Sequence, residues 1–427
     1  MATYYVDPVC GKEQNDGLSE SSPKSHYRQL QILPGDTILI KAGSVFRDFI
    51  ASPSGEEGNV ITWDMYGQGA KPQFLGALNT HDASLWEETS DKNIWSYKGQ
   101  IPSDVCNIIF DDDKSCGVLA WEYEDLNQQG KWHYTHMGYD VPGRQLPEFL
   151  EGKEKVLYLY SEGNPALVYS NIECVLYGNR MLLTAKEHVR VSNFCFKYSG
   201  VHGYGQSHAK DITITNCEFR FIGGCVWDRL QRIRFGNGVE VWEYGEDFTL
   251  SGCYFDQIYD SCTTHQGFTN AKPCLRINIV NNIFKNYGMS AYELRDLIAV
   301  DTHFDGNICI GAGCGFSLQG ETPPRKSELW PQPMGHHLFI WRISKTSENG
   351  CITVRNNVFH EAPYGAAIYS TIAPEAERQM VFENNVYYKS QDTCLIRLGG
   401  KNYTKNDFSL YQTEQQNDQA SRVECIF

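Results

Sequence analysis

The sequence predicts an all-β fold, a right-handed parallel β-helix (a solenoid of short stacked strands) carrying a β-rich insertion. Three observations lead there. At 427 residues the chain exceeds what one compact core usually serves, so either several domains or one repetitive architecture must bury its apolar residues. Its composition, 41% hydrophobic and 21% charged with 38 Gly, 25 Tyr and 21 Phe, is that of an ordered, aromatic-rich β protein. Finally, a short motif recurs, with copies at Asn193, Asn216, Gly252, Asn281, Gly306, Asn356 and Asn384.

Each copy opens on Asn or Gly and continues into a β-rich run with an aromatic or apolar residue three positions on, as in Asn281-Asn-Ile-Phe-Lys-Asn-Tyr-Gly288. The intervals of 23, 36, 29, 25, 50 and 28 residues correspond to one solenoid coil each, with insertions in the 36 and the 50. Asn suits a coil corner because it tolerates the left-handed backbone and can hydrogen-bond locally, and stacked Asn side chains can form ladders between coils.

In chain order, residues 1–80 read as an N-terminal cap and first coils, with turn-strand pairs at Leu33–Gly43 and Val60–Gly67. Residues 81–180 break the pattern and are rich in Trp and Tyr, which predicts a β-rich insertion packed on the solenoid. Residues 181–400 hold the main coils and the groove-forming loops, and the polar stretch 401–427 reads as a C-terminal cap. The opening Tyr4-Tyr-Val-Asp-Pro8, Asn15-Asp-Gly17, Pro34-Gly-Asp-Thr37, Gly67-Gln-Gly-Ala-Lys-Pro72 and the Asn-Asn-hydrophobic repeats resemble the pectate-lyase-like superfamily of right-handed β-helix proteins over most of residues 1–400. That resemblance implies a carbohydrate-active protein. The superfamily spans polysaccharide lyases, glycoside hydrolases, uronate epimerases and non-catalytic tail proteins, so fold alone does not decide function.

A net charge of -15 argues against nucleic acid and anionic membranes as partners, since both call for clustered excess Lys and Arg. The 15 cysteines form no zinc-site spacing and mostly sit in apolar strand patterns, where a free Cys acts as a small buried hydrophobe. The start Met-Ala-Thr-Tyr-Tyr-Val-Asp-Pro lacks the features of a signal peptide. With the cysteine load it sets the expectation of a cytoplasmic location, although a secreted chain trimmed of its leader would open the same way.

Candidate chemistry follows from strand alternation. In Gly238-Val-Glu-Val-Trp242, inward Val239 and Val241 leave Glu240 and Trp242 outward. The same alternation puts Thr263 and His265 outward from Cys262–Gln266, and Ala291, Glu293 and Arg295 outward from Ala291–Arg295. Gly315–Gln319 reads as the next strand. Glu240, His265 and Glu293 then share one face on successive rungs. With rungs about 4.8 Å apart, the Glu backbones stand about 9.6 Å apart. Their carboxyl groups can then reach the ~6.5–9.5 Å separation of an inverting glycosidase.

The expected function is a glycoside hydrolase on an oligo- or polysaccharide. Glu240 is the expected acid, Glu293 the base held ionised by Arg295, and His265 a catalytic or positioning partner. Substrate contacts are expected from Arg295, Trp242, Gln266, Gln319, Asp260 and, on the wall formed by residues 224–236, Trp227 and Arg234, with Asp256 and Asp260 as reserve carboxylates. A second wall, residues 320–345, carries Trp330, His336, His337 and Trp341. Outward Glu, His and Arg on a sheet commonly make only cross-strand pairs, but four of them on neighbouring rungs beside Trp242 favour chemistry. The alternative is a polysaccharide lyase on a uronic-acid glycan, with Arg295 neutralising the carboxylate and His265 or Tyr292 as base. A third reading is a non-catalytic carbohydrate-binding solenoid. No cofactor or metal is expected, because adjacent His336 and His337 on a strand point apart.

Overall fold

The computed structural model describes residues 1–178, 180–267, 272–296, 298–319, 334–343 and 346–424; Trp330 and the last residues of the cap lie outside them. The corners predicted from sequence are corners in the structure. Asn193, Asn216, Gly252, Asn281, Gly306, Asn356 and Asn384 all have positive φ, between 49° and 70°. An ordinary L-residue there costs roughly 1–2 kcal/mol, which explains the recurring Asn and Gly.

Between corners the chain makes three short strands per coil, and each pairs in parallel with its counterpart one coil on. One ladder runs through Cys195–Lys197, Glu218–Ile222, Tyr254–Ile258, Ile283–Tyr287, Ile308–Ala312, Val358–His360 and Val386–Tyr388. A second carries the candidate residues and runs through Val239–Ser251, Ser261–Gln266, Ser290–Arg295, His336–Trp341 and Ile368–Ser370. The third includes Leu275–Val280, Thr302–Asp305, Ile352–Arg355 and Met380–Glu383. The protein is therefore an all-β parallel β-helix.

Two columns hold the coils in register. Asn282, Asn307, Asn357 and Asn385 are fully buried, and each of the first three donates Nδ2–H to the next one's Oδ1 at 3.0–3.2 Å. The same Oδ1 atoms accept the backbone N–H of the preceding Asn at 2.8–3.0 Å, and the second Nδ2 protons go to main-chain carbonyls. Every polar atom of this buried spine thus has a partner, as burial demands. Beside it Phe46, Phe74, Phe196, Phe219, Phe255 and Phe284 stack along the axis at centroid spacings of 4.8–5.6 Å.

The insertion leaves and rejoins the solenoid without interrupting it, since Gln73–Leu75 pairs directly with Cys195–Lys197. It folds into a four-stranded antiparallel sheet and a five-stranded sheet around a separate core that includes Trp86, Phe110, Trp132 and Tyr134. An Arg47–Glu173 pair with two bonds of 2.7 and 2.8 Å and a mixed cluster including Cys106, Ile109, Val175 and Phe221 dock it on the coils. One sequence expectation fails. Gly315–Gln319 is not a strand: Gly315 (φ 83°) and Gln319 (φ 48°) bracket a single 3-10 turn, Phe316–Leu318, and the coil's strand on the candidate face comes later, at His336–Trp341.

Asn307→Ala removes the acceptor of two buried donors of Asn282, so it should cost roughly 2–4 kcal/mol. Asn356→Ala should cost roughly 1–2 kcal/mol and Asn356→Gly less, because both lose the exposed acceptor of Asn384 Nδ2 (2.6 Å) but only Ala also strains the αL corner. The midpoints of chemical denaturation check both.

Candidate active site

Strand register decides which side chains meet. Glu240 pairs with Thr264, Thr264 with Glu293, and Glu293 with Phe339, so the two carboxylates occupy one outward column two rungs apart, about 9.6 Å along the axis. Thr264 between them is fully buried, and its hydroxyl has no hydrogen-bond partner among the described residues. The neighbouring outward positions bring Trp242 beside Gln266 and Arg295 beside Trp341.

His265 does not belong to this face. It pairs with Val241 and Leu294, two interior residues, and its ring packs edge-on against Phe248 and Tyr292 inside the coil. Neither ring nitrogen has a hydrogen-bond partner among the described residues, and burial pushes its pKa down to about 3. It is a neutral core residue. The expectation slipped by one residue because Cys262-Thr-Thr-His has no apolar alternation to set its phase, and a slip of one flips every side chain. Ala291, also expected outward, likewise joins the core.

The two carboxylates have different surroundings. Glu240 accepts a hydrogen bond from Asn237 Nδ2 at 2.7 Å, and His202 Nε2 lies 3.3 Å from the same oxygen. His202 Nδ1 accepts the Asn237 backbone N–H at 3.1 Å, and burial lowers its pKa. A neutral ring with Nδ1 accepting carries its proton on Nε2, the nitrogen that faces Glu240. Asn237 in turn accepts from the Ser261 N–H at 3.0 Å, which ties this cluster to the next coil.

Glu293 is 2% exposed. Its Oε1 accepts Trp341 Nε1–H at 2.8 Å and its Oε2 faces Ser261 Oγ at 3.3 Å. Burial raises its pKa to about 7, with Asp260 and Glu240 adding to the rise and Arg295, Nη1 3.9 Å away, and the Trp341 bond opposing it. Burial outweighs the guanidinium because Arg295 is shared: its Nε donates to Asp296 at 3.2 Å and its head lies over the Trp341 ring at 5.1 Å. The expectation that Arg295 keeps Glu293 ionised therefore fails.

These groups open onto a cavity of about 730 Å³. Glu240, Glu293, Arg295, Trp242, Gln266 and Asp260 all line it, as does Trp227, 55% exposed on the wall hairpin. Arg234 also lines it but is a wall tie: Nε donates to Gly224 O at 2.6 Å and Nη2 to Cys106 O at 2.7 Å. Gln319 is elsewhere, accepting the Leu119 N–H at 2.8 Å to fasten the insertion. The reserve carboxylate Asp256 sits on another ladder, bonded to Tyr254 and Asn286. Tyr292 is fully buried in the core. His337 is interior and bonded to Tyr287, whereas His336 accepts the Ala366 N–H.

His202 and Asn237 were missed. The available signal was a repeated glycine: Gly203 and Gly238 each lie where a Cβ would strike the next coil, Gly203 at 2.5 Å from Gly238 O and Gly238 at 2.6 Å from Cys262 O. Aligning on them would have added the strand beginning at His202 to the set of coils compared.

No protein-family model matches the chain, and no curated protein matches it in sequence. Among solved structures it is similar to a GH136 lacto-N-biosidase from Eubacterium ramulus, with 14% identity over 100% of this chain and 68% of that chain and a TM-score of 0.48. A glycoside hydrolase matches with 10% identity over 99% and 96% and a TM-score of 0.45, and pectate lyase Pel9A with 12% identity over 95% and 79% and a TM-score of 0.41.

Trp341→Phe keeps the ring but removes the hydrogen bond that lowers the Glu293 pKa, so Glu293 should titrate above about 7 in the variant. Carboxyl NMR titration of the two proteins reads the direction.

Proposed function

We propose that this protein is a carbohydrate-active enzyme, a glycoside hydrolase that cleaves an oligo- or polysaccharide with Glu293 as general acid and Glu240 as general base. The observation that carries the reading is the pair itself: two carboxylates two rungs apart on one cleft face, one of them held protonated up to about pH 7. Relative to the sequence expectation, the roles are exchanged. A general acid must carry a proton at the working pH, and burial supplies that to Glu293. Glu240, fixed by Asn237 and His202, is the acceptor that draws a proton from water.

The reaction is then an inverting hydrolysis. Glu293 delivers its proton to the glycosidic oxygen as the C–O bond breaks. Water attacks the anomeric carbon from the opposite face and gives its proton to Glu240. A two-rung spacing leaves space for that water between carboxylate and sugar. Trp242 and Trp227 offer flat apolar faces to sugar rings, and Gln266 and Asp260 offer hydroxyl partners. β-Elimination is less well served, because His265 and Tyr292, the bases it would use, face the interior. Two buried carboxylates in a walled cleft are also costly for a surface that only binds.

A panel of plant, algal and host glycans, followed at once by reducing ends and by the absorbance of unsaturated uronates, tests the reading. Reducing ends without the absorbance are expected, with Glu240→Gln and Glu293→Gln each losing at least about 100-fold in kcat/KM; the absorbance rising with product would overturn it. Because Glu293 must be protonated, kcat/KM should fall as pH rises through about 7.

Linkage gives a second readout. The folded pKa of Glu293 is raised above the ordinary value of 4.5, so its contribution is most favourable below that value and declines as pH rises through about 7. Glu293→Gln should therefore melt higher than the parent at pH 8, with the gap closing toward pH 4.

A further inference from the structure

Behind Trp227 lies a second cavity of about 250 Å³, about eight water volumes at roughly 30 Å³ each, which is room for one sugar ring. It shares Arg180, Trp227 and Phe235 with the main cleft, so the two spaces meet across the wall hairpin. Its other walls come from Val141–Arg144 of the insertion and from Tyr177, where the chain returns to the solenoid. Among the described residues, the charged ones lining it are Arg144 and Arg180, with no carboxylate. That is notable in a chain with 52 acidic and 37 basic residues, where a bare pair of guanidiniums is the local exception.

The two arginines are differently placed. Arg144 is half-buried and anchored through Nη1 to the carbonyls of Gly138 and Val226. Arg180 is exposed at the end of the strand Met181–Thr184 and makes no ion pair among the described residues. Met181 pairs with His202, the ring that holds Glu240. The annex therefore begins two rungs, about 9.6 Å along the axis, from Glu240 on the side away from Glu293, and is displaced along the strand as well, because Glu240 pairs with Gly205, three residues past His202.

We propose that the annex is a distal subsite for a negatively charged sugar residue, a hexuronate or a sulfated hexose, of the glycan whose scissile bond lies at the Glu pair; this rests on the hydrolase reading. The exposed indole of Trp227 takes the C–H face of the ring, and Arg180 and Arg144 take the anionic group, which guanidinium forks match in a bidentate way. The subsite exists only because the insertion and the wall hairpin close over the first coils, so it gives the insertion a role in choosing substrate.

Binding without turnover tests it. Isothermal titration at low salt with D-glucuronate, D-galacturonate, glucose 6-sulfate, glucose and inorganic sulfate is run on the wild-type chain, Arg180→Gln, Trp227→Ala and Glu293→Gln. We expect a uronate or the sulfated sugar to bind and glucose not to, with whichever acidic sugar binds naming the anionic group. Affinity should drop at least about tenfold in Arg180→Gln, fall in Trp227→Ala and persist in Glu293→Gln. Equal binding by Arg180→Gln, equal binding of glucose, inorganic sulfate matching the sulfated sugar, or no binding of any acidic sugar overturns the subsite. Since none of these readouts needs hydrolysis, failure of the Glu pair to cleave glycans is a separate result.

Discussion

Everything at the cleft depends on coil register, and register depends on satisfying buried backbone at each corner. A solenoid corner turns main-chain N–H and C=O groups inward, where water cannot reach them. The column of Asn282, Asn307, Asn357 and Asn385 meets that need with side-chain amides bonded both to each other and to the chain above and below. A coil displaced by one residue would break these bonds and at the same time turn its outward side chains into the core. The same constraint that makes the fold possible therefore keeps Glu240 and Glu293 in one column.

On that rigid frame the site holds a group in an unfavourable state. Glu293 is an almost fully buried carboxyl whose partners, Trp341 and Ser261, hydrogen-bond it without neutralising it. Arg295 is close enough to matter but is divided between Glu293, Asp296 and the face of Trp341. A buried carboxyl whose pKa is raised to about 7 costs folding stability at higher pH, and on the proposed hydrolase reading it is the proton donor. Glu240 has different neighbours, an amide that donates to it and an imidazole nitrogen 3.3 Å from the same oxygen.

The walls come from departures from the repeat. The hairpin Cys225–Phe235 and the insertion are joined through Arg234, which reaches main-chain carbonyls on both, Gly224 and Cys106. Gln319 ties the insertion to a later coil through Leu119. Both residues were expected to contact substrate; Gln319 lies away from the cleft, and Arg234, which lines it, also builds the scaffold that shapes the space. Polar side chains near a cleft have many main-chain partners to choose from, and the choice depends on chain segments far apart in sequence.

The sequence by itself determined the solenoid, because an αL corner favours Asn or Gly and those residues stand at each repeat from Asn193 to Asn384. It also determined that Glu240 faces out, because Val239 and Val241 beside it leave no other phase, and it brought Glu293 into the same column by repeat alignment. Only the tertiary structure decided the phase of Ser261–Gln266, where small polar residues carry no alternation and His265 turned inward. Only the tertiary structure decided which Glu keeps a proton, since that depends on Trp341, 48 residues away in sequence, and on how deeply the face is covered. Local residue pattern specifies backbone conformation and facing; desolvation and hydrogen-bond choice are set by whatever else arrives at the same place in space.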